Sequence, residues 1–240
     1  MTLNEGLEAI GTDEYLPDGD QYFGVFQDSG VEIVALPSSL KRIEYRAFCG
    51  CEGLESILLP DSLGAIGKQS FQGSGLKNFV APAALRAIAP EAFYKCGRLT
   101  HVTLNEGLEV LGAEDNFENG RALHGIFEES AVESVELPST LKKIGYSVFF
   151  GATSLESVKL PNGLETIGQR CFQGSGLRKF AAPATLKKIG PDAFKGCKNL
   201  DAVQLNIALY AAKDKVVKGT GLRAGATVTG PTVKAAKVVV

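Results

Sequence analysis

The sequence has little of the chemistry on which enzymes depend. Among its 240 residues there are two histidines, His101 and His124. It has no H-E-x-x-H, G-x-S-x-G or Walker sequence, and the glycines of residues 219–225 have the wrong spacing for a dinucleotide-binding loop. Clustered titratable groups are therefore not expected. We predict a protein that is not an enzyme, with no catalytic residue, no cofactor and no metal site.

Excess charge and long apolar runs are also missing. The net charge of −2 at pH 7 argues against nucleic acid as the main partner, because phosphate binding needs an excess of Lys and Arg. No run approaches the ~18 apolar residues of a membrane span, so no membrane insertion is expected. No signal peptide precedes Thr2, and the chain begins in the middle of a unit. We expect a piece of a longer protein whose signal segment is absent from this chain.

A repeat dominates what is present. Residues 2–102 and 103–203 align without a gap at an offset of 101 residues, and each copy divides into units of 33, 23, 22 and 23 residues. A short period of this kind predicts a solenoid, in which stacked units form one continuous body. We assign residues 1–209 to the solenoid and residues 210–240, which are net basic, to a C-terminal cap or tail.

Three columns recur in every unit. The first reads L-x-x-[VIF]-x-[LA], usually followed by Pro, as in residues 54–60 and 155–161. Its alternation of apolar and polar residues predicts a short strand that ends at the proline. The second column reads L-x-x-I. The third is a small residue followed by Phe, and its members are Phe26, Phe48, Phe71, Phe93, Phe127, Phe149, Phe172 and Phe194.

Each unit is thus predicted to form one coil, with a strand on one side and a Phe-bearing turn on the other. No single coil can bury its own apolar edge, so stacking turns each column into a ladder. We predict a β-dominated right-handed coil of about eight rungs of 22–23 residues, two of them with insertions of about ten residues. The eight Phe side chains should form one buried file.

The combined pattern L-x-x-I-x-L-P-x-x-L-x-x-I-G-x-x-A-F-x-x-C resembles the leucine-rich repeat of the BspA-like type, also called the Treponema type. The resemblance covers about residues 2–205. It extends to an end cap with a short helix near residues 210–217 and a strand near 226–228. It implies a bacterial surface or secreted protein that binds partners on a host or a neighbouring cell.

The cysteines occupy packing positions. Cys51, Cys96 and Cys197 lie three residues after the column Phe, and Cys171 lies directly before it. Buried Cys behaves as a small apolar residue, and the three equivalent cysteines fall on rungs that are not neighbours. We therefore predict no disulfide. Cys49 follows Phe48 and is expected to face outward as the most reactive thiol.

The two insertions, near residues 12–23 and 113–124, are acidic and carry aromatic residues. Insertions in solenoids cluster on one face and often carry function. The alternatives are an inert bulge and, for the D-G-D of residues 18–20, a calcium site, although the spacing of an EF-hand is missing. The candidate binding residues of the insertions are Tyr15, Asp18, Asp20, Tyr22, Phe117 and Arg121.

The outward residues of the first column, which we call the strand face, are the other candidate surface. Ala35, Leu58 and Val80 are consecutive and apolar. An exposed apolar stripe can mark a contact surface, although single exposed aliphatic residues are common. The candidate binding residues of the strand face are Ala35, Leu58, Val80, His101, Thr103, Glu136 and Lys159.

The function that these features favour is a non-enzymatic module that binds a protein partner at a bacterial surface or outside the cell. The alternative is a structural spacer or assembly element of a larger surface protein. The strand face and the insertions can act together only if the insertions fold toward that face. Weak self-association through the N-terminal edge is also expected, since Leu3, Leu7 and Ile10 lack a ladder on one side.

Overall fold

The computed structural model describes residues 1–11, 23–113, 117–118, 121–211 and 219–230, with only the backbone for 117–118 and 121–122. The chain is a β-solenoid with very short strands. The elements in chain order are β1 (Ala9–Ile10), β2 (Arg42–Ile43), β3 (Ala65–Ile66), β4 (Asn78–Val80), β5 (Ala87–Ile88), β6 (His101–Thr103), β7 (Val110–Leu111), β8 (Phe117–Glu118), β9 (Arg121–Ala122), β10 (Ser134–Glu136), β11 (Lys143–Ile144), β12 (Thr166–Ile167), β13 (Lys179–Ala181), β14 (Lys188–Ile189), β15 (Ala202–Gln204), α1 (Ile207–Ala211) and β16 (Thr227–Thr229).

The second column forms strands in every rung, which the sequence pattern did not predict. These two-residue strands pair in parallel as β1-β2-β3-β5 and β7-β11-β12-β14, and we call them the second sheet. Their register matches the repeat, with Ile144 opposite Ile167 and Ile167 opposite Ile189. Close approach is possible because the next residue is small: a Cβ added to Gly168 would lie 2.4 Å from the carbonyl carbon of Gly145.

The first column pairs as two parallel three-stranded sheets, β10-β6-β4 and β13-β15-β16, with one further bridge between Thr2 and Ala35. The first of these sheets crosses the boundary between the two copies at residues 102–103, where the second sheet is interrupted between β5 and β7. Because the breaks are staggered, the two copies form one body.

Three rungs of the first column are not strands, contrary to the expectation of a strand in every unit. Residues 31–36 form only the isolated bridge at Ala35. Residues 54–59 and 155–160, which are equivalent in the two copies, form no bridge at all and are the unpaired rungs. Within the described part of the chain, no backbone N–H or C=O group of residues 56–59 or 157–160 forms a hydrogen bond. Their inward residues Ile57 and Val158 are half-buried, whereas Phe79 and Val102 in the paired rungs are buried.

Turn length and proline together distinguish these unpaired rungs. In both, the first Leu lies six residues after the column Phe and a proline ends the segment, at Pro60 and Pro161. The other rungs with a six-residue spacing end in asparagine. The Nδ2 group of Asn105 donates to the carbonyl oxygens of Ala83 and Leu85 at 3.1 Å, which ties its rung to the preceding one.

The core is the predicted file of phenylalanines. Neighbouring rings stack with centroids 5.1–6.0 Å apart and planes within 16° of parallel. None of the eight is more than 8% exposed. The eight-rung file predicted from the sequence is therefore confirmed, and it runs through both copies.

The cysteines are free and buried. The Sγ atoms of Cys51, Cys96 and Cys197 each donate to the carbonyl oxygen of the Phe in the preceding rung at 2.9 Å. Burial raises the pKa of the Cys96 thiol to about 12. The expectation for Cys49 is wrong: it is 9% exposed, and burial raises the pKa of its thiol as well.

One backbone position is strained in every rung. The second residue after the column Phe has a positive φ, which costs a residue with a side chain ~1–2 kcal/mol relative to glycine. Five rungs place glycine there and three do not. The members are Asp28, Gly50, Gly73, Lys95, Glu129, Gly151, Gly174 and Gly196.

The C-terminal segment continues the solenoid. Helix α1 begins at Ile207, earlier than the predicted 210–217, and residues 212–218 lie outside the described residues. Strand β16 pairs with β15 in parallel, with Val203 opposite Val228. Within the described residues, no helix has the length and apolar character needed to cross a bilayer.

Candidate interaction surface

The strand face of the first copy carries an apolar stripe. Ile33, Leu58 and Val80 are 75%, 87% and 65% exposed, and Ala35 is exposed beside them. They lie on three successive rungs, and strand alternation directs their side chains outward while Val34 and Phe79 fill the core. Ala35, Leu58 and Val80 share one column and form the stripe on the outside of the coil, and Ile33 flanks it two residues away, in the column of Ser56 and Asn78.

The second copy presents different side chains on the same scaffold. At the offset of 101 residues, Ile33 is matched by Ser134, Leu58 by Lys159 and Val80 by Ala181. All three replacements are exposed, so the fold tolerates a hydroxyl, a charge or a methyl group there. The apolar residues of the first copy are thus not required by packing.

Ion pairs form the rim of the stripe. The Glu55 carboxylate accepts from Lys77 Nζ and from Arg98 at 2.6 Å each. The hydrogen bond from Lys77 is the main reason why the pKa of Glu55 lies below its usual range. Because all three side chains are about half exposed, these pairs contribute little to stability. One carboxylate faces two cationic groups, so this rim is net positive.

A groove of about 600 Å³ lies beside the unpaired rung of the second copy. It runs between residues 135–139 and residues 159–163, and its polar walls include Glu106, Glu136, Lys159 and Asn162. The repeat pattern did not predict this groove, although the combination of a six-residue turn with Pro161 coincides with its position. Glu136 and Lys159, both predicted site residues, are brought together here.

The two other predicted strand-face residues lie on β6. His101 is exposed, and its Nδ1 atom hydrogen-bonds to Thr100 Oγ1 at 2.8 Å. Thr103 is half-buried and its hydroxyl lies 3.4 Å from a carboxylate oxygen of Glu136. Both residues therefore lie next to the part of the strand face that belongs to the second copy.

The stem of the second insertion is held at another corner of the coil. The His124 ring stacks on Tyr94 with centroids 4.2 Å apart. Its Nδ1 atom hydrogen-bonds to Glu128 at 2.7 Å, and its backbone N–H donates to the buried Glu91 at 2.9 Å. These partners flank the column Phe residues, so the stem is anchored between the second sheet and the Phe turn.

Most of the predicted insertion residues lie outside the described residues. This applies to Tyr15, Asp18, Asp20 and Tyr22 of the first insertion. In the second, β8 and β9 pair as an antiparallel hairpin with Phe117 opposite Ala122, while the side chains of Phe117 and Arg121 are outside the description. Joint action of the insertions with the strand face stays a prediction.

Across the described part of the chain, no three His, Cys, Asp or Glu side chains come together in a way that could hold a metal ion. The sequence pair Cys49 and Cys51 supplies two buried thiols, and burial raises the pKa of both, which opposes the thiolate form that binds metal.

Comparison with known structures finds other leucine-rich repeat proteins. A leucine-rich repeat protein from Bacteroides ovatus ATCC 8483 has a TM-score of 0.70 and 25% identity, over 95% of this chain and 50% of that one. A leucine rich cell surface protein from Faecalibacterium prausnitzii A2-165 has a TM-score of 0.45 and 21% identity, covering 83% of this chain and 59% of its own. A T. pallidum leucine rich repeat protein has a TM-score of 0.34 and 23% identity, with coverages of 82% and 72%.

The chain spans about half the length of the Bacteroides protein. Comparison with curated proteins returns no match. The family model described as "BspA type Leucine rich repeat region" matches residues 22–126 and 123–228, in six copies. Because these segments cover most of the sequence and contain the columns described above, the chain belongs to the BspA-type leucine-rich repeat family.

Proposed function

We propose that this protein is a non-enzymatic recognition module of a bacterial surface or secreted protein, and that it binds a protein partner through the strand face of its first copy. The observation that carries the proposal is the apolar stripe with Ile33 beside it, in which Ile33, Leu58 and Val80 are each at least 65% exposed. A contiguous exposed apolar surface is costly to keep without a contact function. The second copy, which folds with Ser134, Lys159 and Ala181 at these places, supports the view that the stripe is retained for binding.

The bacterial surface setting rests on membership of the BspA-type family. The insertions are a second part of the proposal, because their acidic and aromatic composition suits partner contact. Their stems lie at a different corner from the stripe, so they would reach the same partner only by extending around the coil. The two parts can therefore be tested separately.

The test compares the wild type with three variants in the capture of proteins from host-surface and bacterial-surface extracts. The first variant carries Ile33→Ser, Leu58→Lys and Val80→Ala, which are the residues of the second copy. The second lacks residues 12–22 and 113–123. The control carries Val110→Lys, which places a charge at a half-exposed apolar position on the second sheet. Each captured protein is then purified and its affinity for all four forms is measured.

We expect a partner that binds the wild type and the Val110→Lys control equally and binds the stripe variant at least about tenfold more weakly, a loss of ~1.4 kcal/mol or more. Equal binding by the stripe variant would exclude the strand face. Equal binding by the deletion variant would exclude only the insertions. Absence of any specific partner for the wild type would favour the structural spacer.

A further inference from the structure

The main chain of the unpaired rung in the second copy is available for hydrogen bonding. Within the described residues, none of the N–H or C=O groups of residues 157–160 is used. Strand β10 pairs with β6 along one edge only. Since successive residues of a strand direct their N–H and C=O groups to opposite edges, Val135 turns its own groups away from β6 and toward the unpaired rung.

The groove lies between these two open segments. Its apolar floor includes Val135, Leu137 and Leu160, and its volume of about 600 Å³ is within the range of ligand sites. Open main-chain edges beside an apolar trough are what an extended peptide uses when it adds to a sheet. A flat apolar ligand would leave the N–H and C=O groups unsatisfied, so a peptide backbone fits this site better.

The charged walls select the side chain of the occupant. The carboxylate of Glu106 accepts the backbone N–H and the hydroxyl of Ser139, both at 2.9 Å. These bonds hold the pKa of Glu106 below its usual range, so it stays ionised. Glu136 adds a second carboxylate, and Lys159 supplies a single ammonium group. Of the charged side chains that line the groove, two are anionic and one is cationic, which favours a basic side chain there; Lys142 Nζ lies outside this lining, beside Gly163.

We infer that the groove between residues 135–139 and 159–163 binds an extended segment of a partner protein that carries a basic side chain. The inference rests on the proposed function and adds to it a second contact, with main-chain pairing for affinity and the carboxylates of Glu106 and Glu136 for selectivity. The equivalent rung of the first copy has the same open backbone, but Ala35 and Leu58 replace Glu136 and Lys159 there. Glu5 and Asp61 are the equivalents of Glu106 and Asn162, so two carboxylates remain and the first copy should also favour a basic side chain.

The experiment uses three capped five-residue peptides and the full chain labelled with nitrogen-15. The peptides are T-V-R-V-T, T-V-E-V-T, and T-V-R-V-T with both valine nitrogens methylated. The third has the same charged side chain but cannot donate at two main-chain positions. Titrations follow the amide shifts of residues 135–139 and 158–163, and hydrogen exchange of the same amides is measured with and without peptide.

We expect the arginine peptide to shift these amides and to slow exchange at Val135, Leu137 and Lys159, whose N–H groups face the groove by the same alternation. The glutamate and methylated peptides should each bind at least about tenfold more weakly, or ~1.4 kcal/mol. Two single variants serve as matched controls. Glu136→Ala leaves one carboxylate against one ammonium group and should abolish the preference for arginine, whereas Lys159→Leu leaves both carboxylates unopposed and should strengthen it. Both positions are exposed and receive the residue of the first copy, so circular dichroism should be unchanged.

Equal binding of the methylated peptide would overturn main-chain pairing. Equal binding of the glutamate peptide would overturn the electrostatic selection, and absence of shifts in residues 135–139 and 158–163 with every peptide would overturn the site. These results are distinguishable from failure of the proposed function. Peptides could fail while partner capture still depends on Leu58, or capture could fail while the arginine peptide still binds.

Discussion

The two 101-residue copies share one scaffold and differ mainly on its surface. Phe93 and Phe194 are both buried in the same file, and the unpaired rung recurs at the same place in each copy. Exposed positions differ: Leu58 is apolar where Lys159 is charged. What is retained is thus what the stacking of rungs requires, while the solvent-facing columns are free to acquire different binding chemistry.

The polar residues that hold the stems of the two insertions also differ between the copies. Gln27 and Glu128 are equivalent, and each accepts the backbone N–H of the glycine three residues earlier, at 3.1 Å and 2.7 Å. In the second copy His124 adds a ring stack on Tyr94. At the equivalent position of the first copy, Phe23 is 83% exposed. An interior rung therefore anchors its insertion more firmly than a terminal one.

The largest effect should come from removing a ring from the file. Phe93 is fully buried and stacks between Phe71 and Phe127 at 5.3 Å each. Phe93→Ala should cost ~3–5 kcal/mol of unfolding free energy through loss of contacts and a cavity. Its equivalent Phe194→Ala should cost the same within ~1 kcal/mol, as measured by urea denaturation. A loss below ~1 kcal/mol for either would show that the copies do not share this core.

Adding one carbon where rungs touch should have the next largest effect. A Cβ at Gly125 would lie 1.8 Å from the carbonyl oxygen of Ser147, and one at Gly24 would lie 1.7 Å from that of Arg46. We expect Gly125→Ala to cost about 2–3 kcal/mol. Gly24→Ala should cost less, because the terminal rung can shift. Gly97→Ala, where the new carbon meets nothing within 4 Å, is the control, and an equal loss there would contradict steric overlap as the cause.

A smaller effect should arise at the strained backbone position, where the copies differ in residue type. Lys95 has φ of 57° and its equivalent Gly196 has φ of 75°. Lys95→Gly should therefore raise the unfolding free energy by about 0.5–1 kcal/mol, since its exposed ion pair with Glu129 contributes little. Lys95→Ala keeps the strain and should not stabilise. A gain with alanine would mean that the lysine side chain, rather than φ, is unfavourable.

The smallest effect should be a pH dependence of stability that the stem of the second insertion has and the stem of the first lacks. Burial raises the pKa of Glu128 above its usual 4.5, so the folded state favours the protonated form. The associated stability is present below pH 4.5 and is lost as the pH rises through the raised pKa. Glu128→Gln introduces the residue of the first copy and removes this dependence. The unfolding free energy of the variant should therefore rise relative to that of the wild type between about pH 4 and pH 7. The urea midpoints at the two pH values test this, and a constant difference would contradict it.

The recurring columns predicted the core residues correctly, because a position that is apolar in every rung is one that stacking buries. Phe48 and Cys51 recur at fixed spacing and are both fully buried. Cys49 was misassigned because its column also contains polar residues, Gln72 and Lys195 among them, although the place itself is shielded by neighbouring rungs.

Hydrogen bonding between rungs was less predictable. It depends on turn length combined with the residue that ends the segment, because six-residue turns precede unpaired rungs that end in proline and paired rungs that end in asparagine. The unpaired rungs before Pro60 and Pro161 and the strands of the second sheet were therefore missed. The candidate residues of the strand face were predicted from alternation alone, whereas the proposed preference for a basic side chain depends on the groove and its walls.

The recurrence of the unpaired rung has a consequence for avidity. Residues 54–59 and 155–160 are four rungs apart on the same side of the coil, which is roughly 19 Å at the usual strand spacing. A partner with two extended segments joined by a linker of matching length could occupy both rungs at once. The second binding event would then be intramolecular, and its effective concentration could raise the overall affinity by about 10²–10⁴ without any new contact.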